Sequence, residues 1–190
     1  MSTSSQYDVL IIGGGTAGIT VAAQLQQSDR APESIAIIEP SDTHYYQPIW
    51  TLVGAGVFDK EISERPMADY IPEGATWLQD AAASFDPEAN TVTTKGGDTV
   101  GYNYLIVAPG LQLDWDAVPG LAESIEDPNS GVVSNYAYEY CEGTWDVMQQ
   151  LKPGDNAIFT QPATPIKCGG APQKIMYLTA DHLRREGILD

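Results

Sequence analysis

The chain has 190 residues, 43% of them hydrophobic, with 26 Asp and Glu against 9 Lys and Arg, for a net charge of −17. That is enough apolar material for an ordinary core and the start of a second one, and it excludes a disordered chain. It also disfavours a nucleic-acid partner or an anionic membrane surface, since both require basic patches.

The opening "MSTSSQYDVL" has neither the basic start of a secretory signal nor the Arg richness of a transit peptide. No apolar run is long enough to span a membrane, so the expected compartment is the cytoplasmic side of a cell. The stretch "YDVLIIGGG" reads as a buried strand running into glycines, followed by a helix from about Thr16 to Ser28 with Ile19, Ala22, Ala23 and Leu25 as its apolar positions. "SIAIIEP" is a second strand closed by Pro40, which completes a parallel β-α-β unit. From Ser41 to Gly56 the chain is aromatic and irregular, a pattern associated with lids and binding loops. "ATWLQDAAASFD" and "NTVTTKGGDTVGYNYLIVAPG" read as short strands with turns at Asp86-Pro87 and Gly96-Gly97.

"LQLDWDAVPGLAESIEDPNSG" is rich in turn residues and is expected to be a linker, and "SNYAYEYCEGTWDVMQQL" is expected to be helical over its second half. Next, "NAIFTQPATPIKCGGAPQKIMYL" reads as strand, turn and helix, the helix running from about Gln173 to Glu186 with Met176, Ala180 and Leu183 on one face. The expected fold is α/β: a Rossmann-like dinucleotide-binding domain over 1–115, a linker and helix over 116–150, and the start of a second, similar domain over 151–190.

The chemistry begins at Gly13-Gly14-Gly15-Thr16-Ala17-Gly18, a G-x-G-x-x-G between a strand and a helix. Gly13 permits the tight turn, Gly15 lets backbone approach a pyrophosphate, Ala17 lies in the helix's first turn, and Gly18 lets helix pack on strand. The helix N-terminus offers free N–H groups and a positive dipole end to phosphates. Glu39 ends the next strand, where an acid accepts ribose hydroxyls. A later strand ends in Ala108-Pro109-Gly110, which is similar to a second FAD fingerprint with Pro109 in place of Thr. Gly110 would let the chain pass close to the cofactor. Ala81 to Ala83, centred on Ala82, match the place where such folds present backbone groups to the adenine. Together these favour FAD over NAD.

Cys141 and Cys168 are the two cysteines. Their number and spacing give neither a disulfide framework nor a zinc site, and no metal site is expected. Cys168 stands where a phosphate loop would have glycines, with Pro162 and Pro165 before it and Gly169-Gly170 after it. Lys167 and Lys174 flank it, and cations and a helix N-terminus both favour a thiolate. Cys141 is expected to be structural. His44 is read as structural, His182 as an exposed helix residue, and Tyr45, Tyr46 and Trp50 as core rather than cofactor contacts.

Four stretches carry a family resemblance: "HYYQPIWTLVGAG" (44–56), "YLIVAPGLQLDW" (104–115), "SNYAYEYCEGTW" (134–145) and the 156–178 segment. With these the chain resembles the sulfide:quinone oxidoreductases of the flavin disulfide reductase superfamily, in the branch that includes the mitochondrial enzymes. The resemblance implies that Cys168 is one of two redox cysteines near FAD and that Gln47 contacts the flavin cofactor. It implies that sulfide attacks a cysteine disulfide or trisulfide and that two electrons pass through FAD to a quinone. The sulfane sulfur then leaves on a small thiol or sulfite. Family members are longer, with a second redox cysteine and C-terminal helices that hold the quinone and touch the membrane. The chain is therefore read as the front of a longer enzyme, or as a truncated FAD-binding remnant without turnover. An NADH:quinone reductase is the enzymatic alternative, and the missing phosphate loop at Cys168 argues against it.

Overall fold

The computed structural model describes residues 4–161 and 165–189. They form two compact units: residues 1–45 with 65–110, and residues 46–64 with 111–190. The expected sequential division at 115 and 150 therefore differs from the contact units, because 46–64 groups with the later chain.

The first unit is a six-stranded sheet in the order β5-β2-β1-β8-β7-β6. Its strands are β1 (Ser4–Ile12), β2 (Ile35–Ile38), β5 (Ala75–Leu78), β6 (Ala82–Asp86), β7 (Thr91–Thr94) and β8 (Thr99–Val107). The strands β5, β2, β1 and β8 run parallel, while β6, β7 and β8 pair antiparallel. The short β3 (Thr43–Tyr45) ends the unit's first stretch, and β4 (Glu64–Pro66) brings the chain back.

The apolar runs of β1 and β2 follow from burial on both faces, as parallel strands require. Alternate residues point opposite ways. Val9, Ile11, Ile35 and Ile37 pack with Ala22 of α1 (Thr16–Gln26), while Leu10, Ile12, Ala36 and Ile38 cluster with Val92, Val100 and Tyr102. The helix α1 ends close to the expected Ser28.

The second unit is mainly helical. It contains a 3-10 turn at Gln47–Ile49, the single turn α2 (Trp50–Val53), α3 (Leu121–Glu126), α4 (Gly143–Met148) and α5 (Gly170–Glu186). The stretch expected to be irregular thus carries a short strand and two tight turns, and the expected linker carries α3. Trp50, Val53 and Cys141 form a small core, and the Trp50 indole N–H donates to Ser63 Oγ at 2.9 Å.

Two expectations need correction. No strand forms over 156–160. A strand exists through its ladder, and this segment has none among the described residues; Ile158 is 83% exposed. The final helix begins at Gly170 rather than Gln173, since Pro172 is tolerated in a first turn. Its fully buried residues are Ile175, Thr179 and Leu183, and Met176, Ala180 and Leu183 share the expected face, lining one groove with Ile158 and Phe159. Pro162 lies outside the described residues.

Candidate functional site

The glycine turn of the first unit is built by the sheet beneath it. Gly13 N–H donates to Ile38 O at 2.9 Å and Ala108 N–H to Ile12 O at 2.8 Å, so the end of β1 is tied to both neighbouring strands. Gly13 has φ +101°, and a Cβ there would strike the Ala108 carbonyl. A Cβ on Gly18 would strike the Gly13 carbonyl, so helix and turn touch backbone to backbone. Gly15 is the N-cap of α1, and a Cβ there would meet nothing within 4 Å. Ala17 is exposed beside it. The first N–H groups of α1 have no acceptor within the helix.

Glu39 is half-buried at the end of β2. Its carboxylate accepts the Gly14 N–H at 2.7 Å on one oxygen and the Ser41 N–H at 2.8 Å on the other. It therefore shapes the glycine turn as well as facing the cavity. That cavity, about 380 Å³, is lined by Gly13, Glu39, Ala81, Ala82, Phe85 and Pro109 among others. Gly110 follows β8, exposed, with φ +76°. An open glycine at a helix N-terminus, an acid at the strand end and a cavity lined by Gly13 and that acid fit a dinucleotide such as FAD. Gly13, Gly15 and Ala17 would hold its pyrophosphate, Glu39 its ribose and Ala82 the adenine end, while Gly18 packs the helix close to the turn.

Removing the Glu39 carboxylate takes away both turn contacts and the group that would accept the ribose. Glu39→Ala is expected to weaken FAD binding by about 1–3 kcal/mol, or roughly five- to 150-fold in Kd. A fluorescence titration of apoprotein with FAD measures this, and an unchanged Kd would remove Glu39 from the site.

Asp80 orders the neighbouring turn, accepting from Ala81 N–H at 2.7 Å and Gly96 N–H at 2.9 Å. Hydrogen bonds from Thr94 and then from these two amides hold its carboxyl below the usual range.

Gln47 and Cys168 both lie in the second unit. Cys168 is exposed, immediately before α5, and its carbonyl accepts Ala171 N–H at 3.1 Å. A small cavity of about 80 Å³ is lined by Gln47, Pro48, Thr51, Asn135, Tyr136, Lys167, Cys168, Ala171 and Lys174, with no acidic residue among them. The Tyr136 hydroxyl donates to Cys168 O at 3.2 Å. Burial, and then negative charge at Cys168, push its phenol upward, so it remains a donor. Gln47, expected to meet the cofactor, is engaged with Tyr136 and Lys167. Tyr136 is a site residue that the sequence alone does not reveal. Its partners are 89 and 32 positions away, and nothing local in the sequence marks it.

Cys141 is fully buried and donates to Tyr138 O at 3.4 Å. Burial, and then the nearby Glu142, push its thiol up to about 11. It is therefore protonated at neutral pH, and iodoacetamide is expected to label Cys168 and leave Cys141 untouched until the chain unfolds. Mass mapping reads the result; native labelling of Cys141 would contradict its burial. His44 is buried and stacks on Tyr70 at 5.0 Å. His182, expected to be exposed, is half-buried against Trp145, ring centroids 5.0 Å apart. Trp50 is core, whereas Tyr45 and Tyr46 are exposed. Among the described residues no His, Cys, Asp and Glu cluster could hold a metal, and no helix is long and apolar enough to cross a membrane.

Comparison with known proteins places this geometry. A sulfide:quinone oxidoreductase of Dictyostelium discoideum, named as mitochondrial, is 50% identical over 182 residues, which is 96% of this chain and 40% of the relative. The protein of the same name from Mus musculus is 46% identical over 186 residues, 98% of this chain and 40% of the relative. The chain thus spans about 40% of the length of these curated relatives. The X-ray structure of the sulfide:quinone oxidoreductase from Aquifex aeolicus superposes with a TM-score of 0.70 at 24% identity. The match covers 97% of this chain and 41% of that one, and it supports the fold. Residues 7–146, well over half of the chain, match the profile described as pyridine nucleotide-disulphide oxidoreductase. The chain belongs to the pyridine nucleotide-disulphide oxidoreductase family.

Proposed function

We propose that this chain is the FAD-binding, Cys168-bearing portion of an enzyme that oxidises sulfide and passes two electrons to a quinone. The observation that carries the proposal is the setting of Cys168. It is an exposed thiol before the N-terminus of a 17-residue helix, in a cavity lined by two lysines and no acid. Cations and helix N–H groups favour a sulfur nucleophile and its anionic partners. The relatives from Dictyostelium discoideum and Mus musculus, both named sulfide:quinone oxidoreductases, agree with this reading.

In the proposed reaction hydrosulfide attacks the Cys168 sulfur of a disulfide with a second cysteine. A new S–S bond forms on Cys168, the old one breaks, and its electron pair leaves on the second cysteine's thiolate. FAD, which the glycine turn and Glu39 would hold, would supply the two-electron acceptor that returns the cysteine pair to its oxidised state. The quinone takes those electrons, and a small thiol or sulfite takes the sulfane sulfur. Lys167 and Lys174 favour the incoming anion, and the Tyr136 hydroxyl fixes the Cys168 carbonyl. Placement at the cytoplasmic side of a membrane belongs to the same proposal.

Anaerobic titration of the full-length flavoprotein tests the proposal. Sulfide is expected to bleach the flavin while NADH leaves it oxidised. Bleaching by NADH with sulfide inert would favour the NADH:quinone reductase reading instead.

A further inference from the structure

Gln47, Tyr136, Lys167 and Cys168 close a ring of hydrogen bonds drawn from three separate segments of the second unit. The Tyr136 hydroxyl donates to the Cys168 carbonyl at 3.2 Å. The Gln47 side-chain amide donates through Nε2 to the Tyr136 carbonyl at 3.1 Å. The Lys167 ammonium donates to Gln47 Oε1, and the peptide bond between Lys167 and Cys168 closes the ring. Lysine only donates and a backbone carbonyl only accepts, so a single orientation of the Gln47 amide satisfies both partners.

The electrostatic setting gives this ring a consequence. The whole chain carries −17, and a field of that sign repels anions from the surface. The Cys168 cavity is an exception: two of the nine basic residues line it and no acid does. A lysine on a flexible four-carbon stem spends its time in solvent unless something holds it. Lys167 is exposed overall, yet partial desolvation pulls its ammonium below the ordinary lysine range, with the charge at Cys168 opposing.

We propose that Gln47 is a positioning residue: it pins the Lys167 ammonium at the mouth of the Cys168 cavity and so gives this thiol a preference for anionic over neutral reactants. The proposal rests on the reading of Cys168 as the reacting thiol, and it makes hydrosulfide, rather than neutral hydrogen sulfide, the species the site selects. Gln47 then acts through Lys167 rather than by touching the flavin.

The test compares alkylation of Cys168 by iodoacetate, an anion, and by iodoacetamide, its neutral analogue. Their rate ratio cancels thiol exposure and thiolate fraction, so loosening of the turn alone does not move it. Gln47→Ala is expected to lower the ratio about three- to fivefold, the size of one nearby charge in water. Lys167→Met should lower it equally, and the double variant should go no further. Lys167→Arg, which keeps the donor and the charge, should retain the wild-type ratio, and high salt should erase the preference. An unchanged ratio in Gln47→Ala, or effects of the two single variants that add, would overturn the proposal. Labelling of the buried Cys141 reports any variant that fails to fold; Gln47→Asn, one methylene too short to bridge both partners, then replaces Gln47→Ala. The readout needs no sulfide turnover. Loss of the ratio effect therefore refutes the clamp alone, whereas sulfide turnover by Cys168→Ser would refute the catalytic reading alone.

Discussion

Cys168→Ser in the full-length protein is expected to abolish reduction of the flavin by sulfide while FAD stays bound. A serine hydroxyl neither ionises near neutral pH nor exchanges sulfur, so the step that breaks one S–S bond and forms another loses its acceptor. Removal of a nucleophile costs at least about a thousandfold in rate. Nothing else in the cavity replaces it: its walls are Gln47, Pro48, Thr51, Asn135, Tyr136, Ala171 and two lysines. The other cysteine is fully buried and held protonated. The groups proposed to hold FAD are the glycine turn, Glu39 and Ala82, and Cys168→Ser alters none of them, which is why FAD retention should be spared. Stopped-flow absorbance of the flavin band after mixing with sulfide measures the first quantity, and the flavin-to-protein ratio after gel filtration measures the second. Wild-type turnover would remove Cys168 from the chemistry.

Gly13→Ala is expected to lose FAD and a large part of the first unit's stability. The residue needs φ +101°, which a side chain disfavours by about 1–3 kcal/mol. Its Cβ would also meet the backbone carbonyl of Ala108, which cannot rotate aside, and overpacking of this kind adds about 1–3 kcal/mol. The sum approaches half the total stability of an ordinary domain, which is about 5–15 kcal/mol. Relief by moving β8 away from β1 would break the bond from Ala108 N–H to Ile12 O and shift Pro109 in the cofactor cavity. Thermal unfolding of the apoprotein should show the loss directly. An unshifted midpoint with full FAD occupancy would contradict the geometry of this turn.

The first unit was legible because its signals are local. The alternation of Val9, Leu10, Ile11 and Ile12 between two clusters follows from strand pleat alone. The glycines lie between that strand and a helix, and Glu39 closes the next strand. What the sequence hid in this unit is that the Glu39 carboxylate braces the Gly14 amide, a contact 25 positions apart. The second unit was less legible because its decisive contacts are distant. Gln47 meets Lys167 across 120 positions and Tyr136 across 89, so nothing local in the sequence ties its amide to the Cys168 turn. The segment at Asn156 has strand propensity, but a strand also needs a neighbour, and none pairs with it among the described residues. The grouping of 46–64 with the later chain was hidden for the same reason.

The most direct test of the central claim is the covalent state of Cys168 after sulfide. The full-length protein is mixed anaerobically with sulfide, quenched with an alkylating reagent and digested, and the peptide bearing Cys168 is weighed. The account predicts that this peptide carries one extra sulfur atom in a time-dependent fraction and loses it when a thiol acceptor is added. A Cys168 peptide that never gains sulfur, in a protein whose flavin is nonetheless bleached by sulfide, would contradict it.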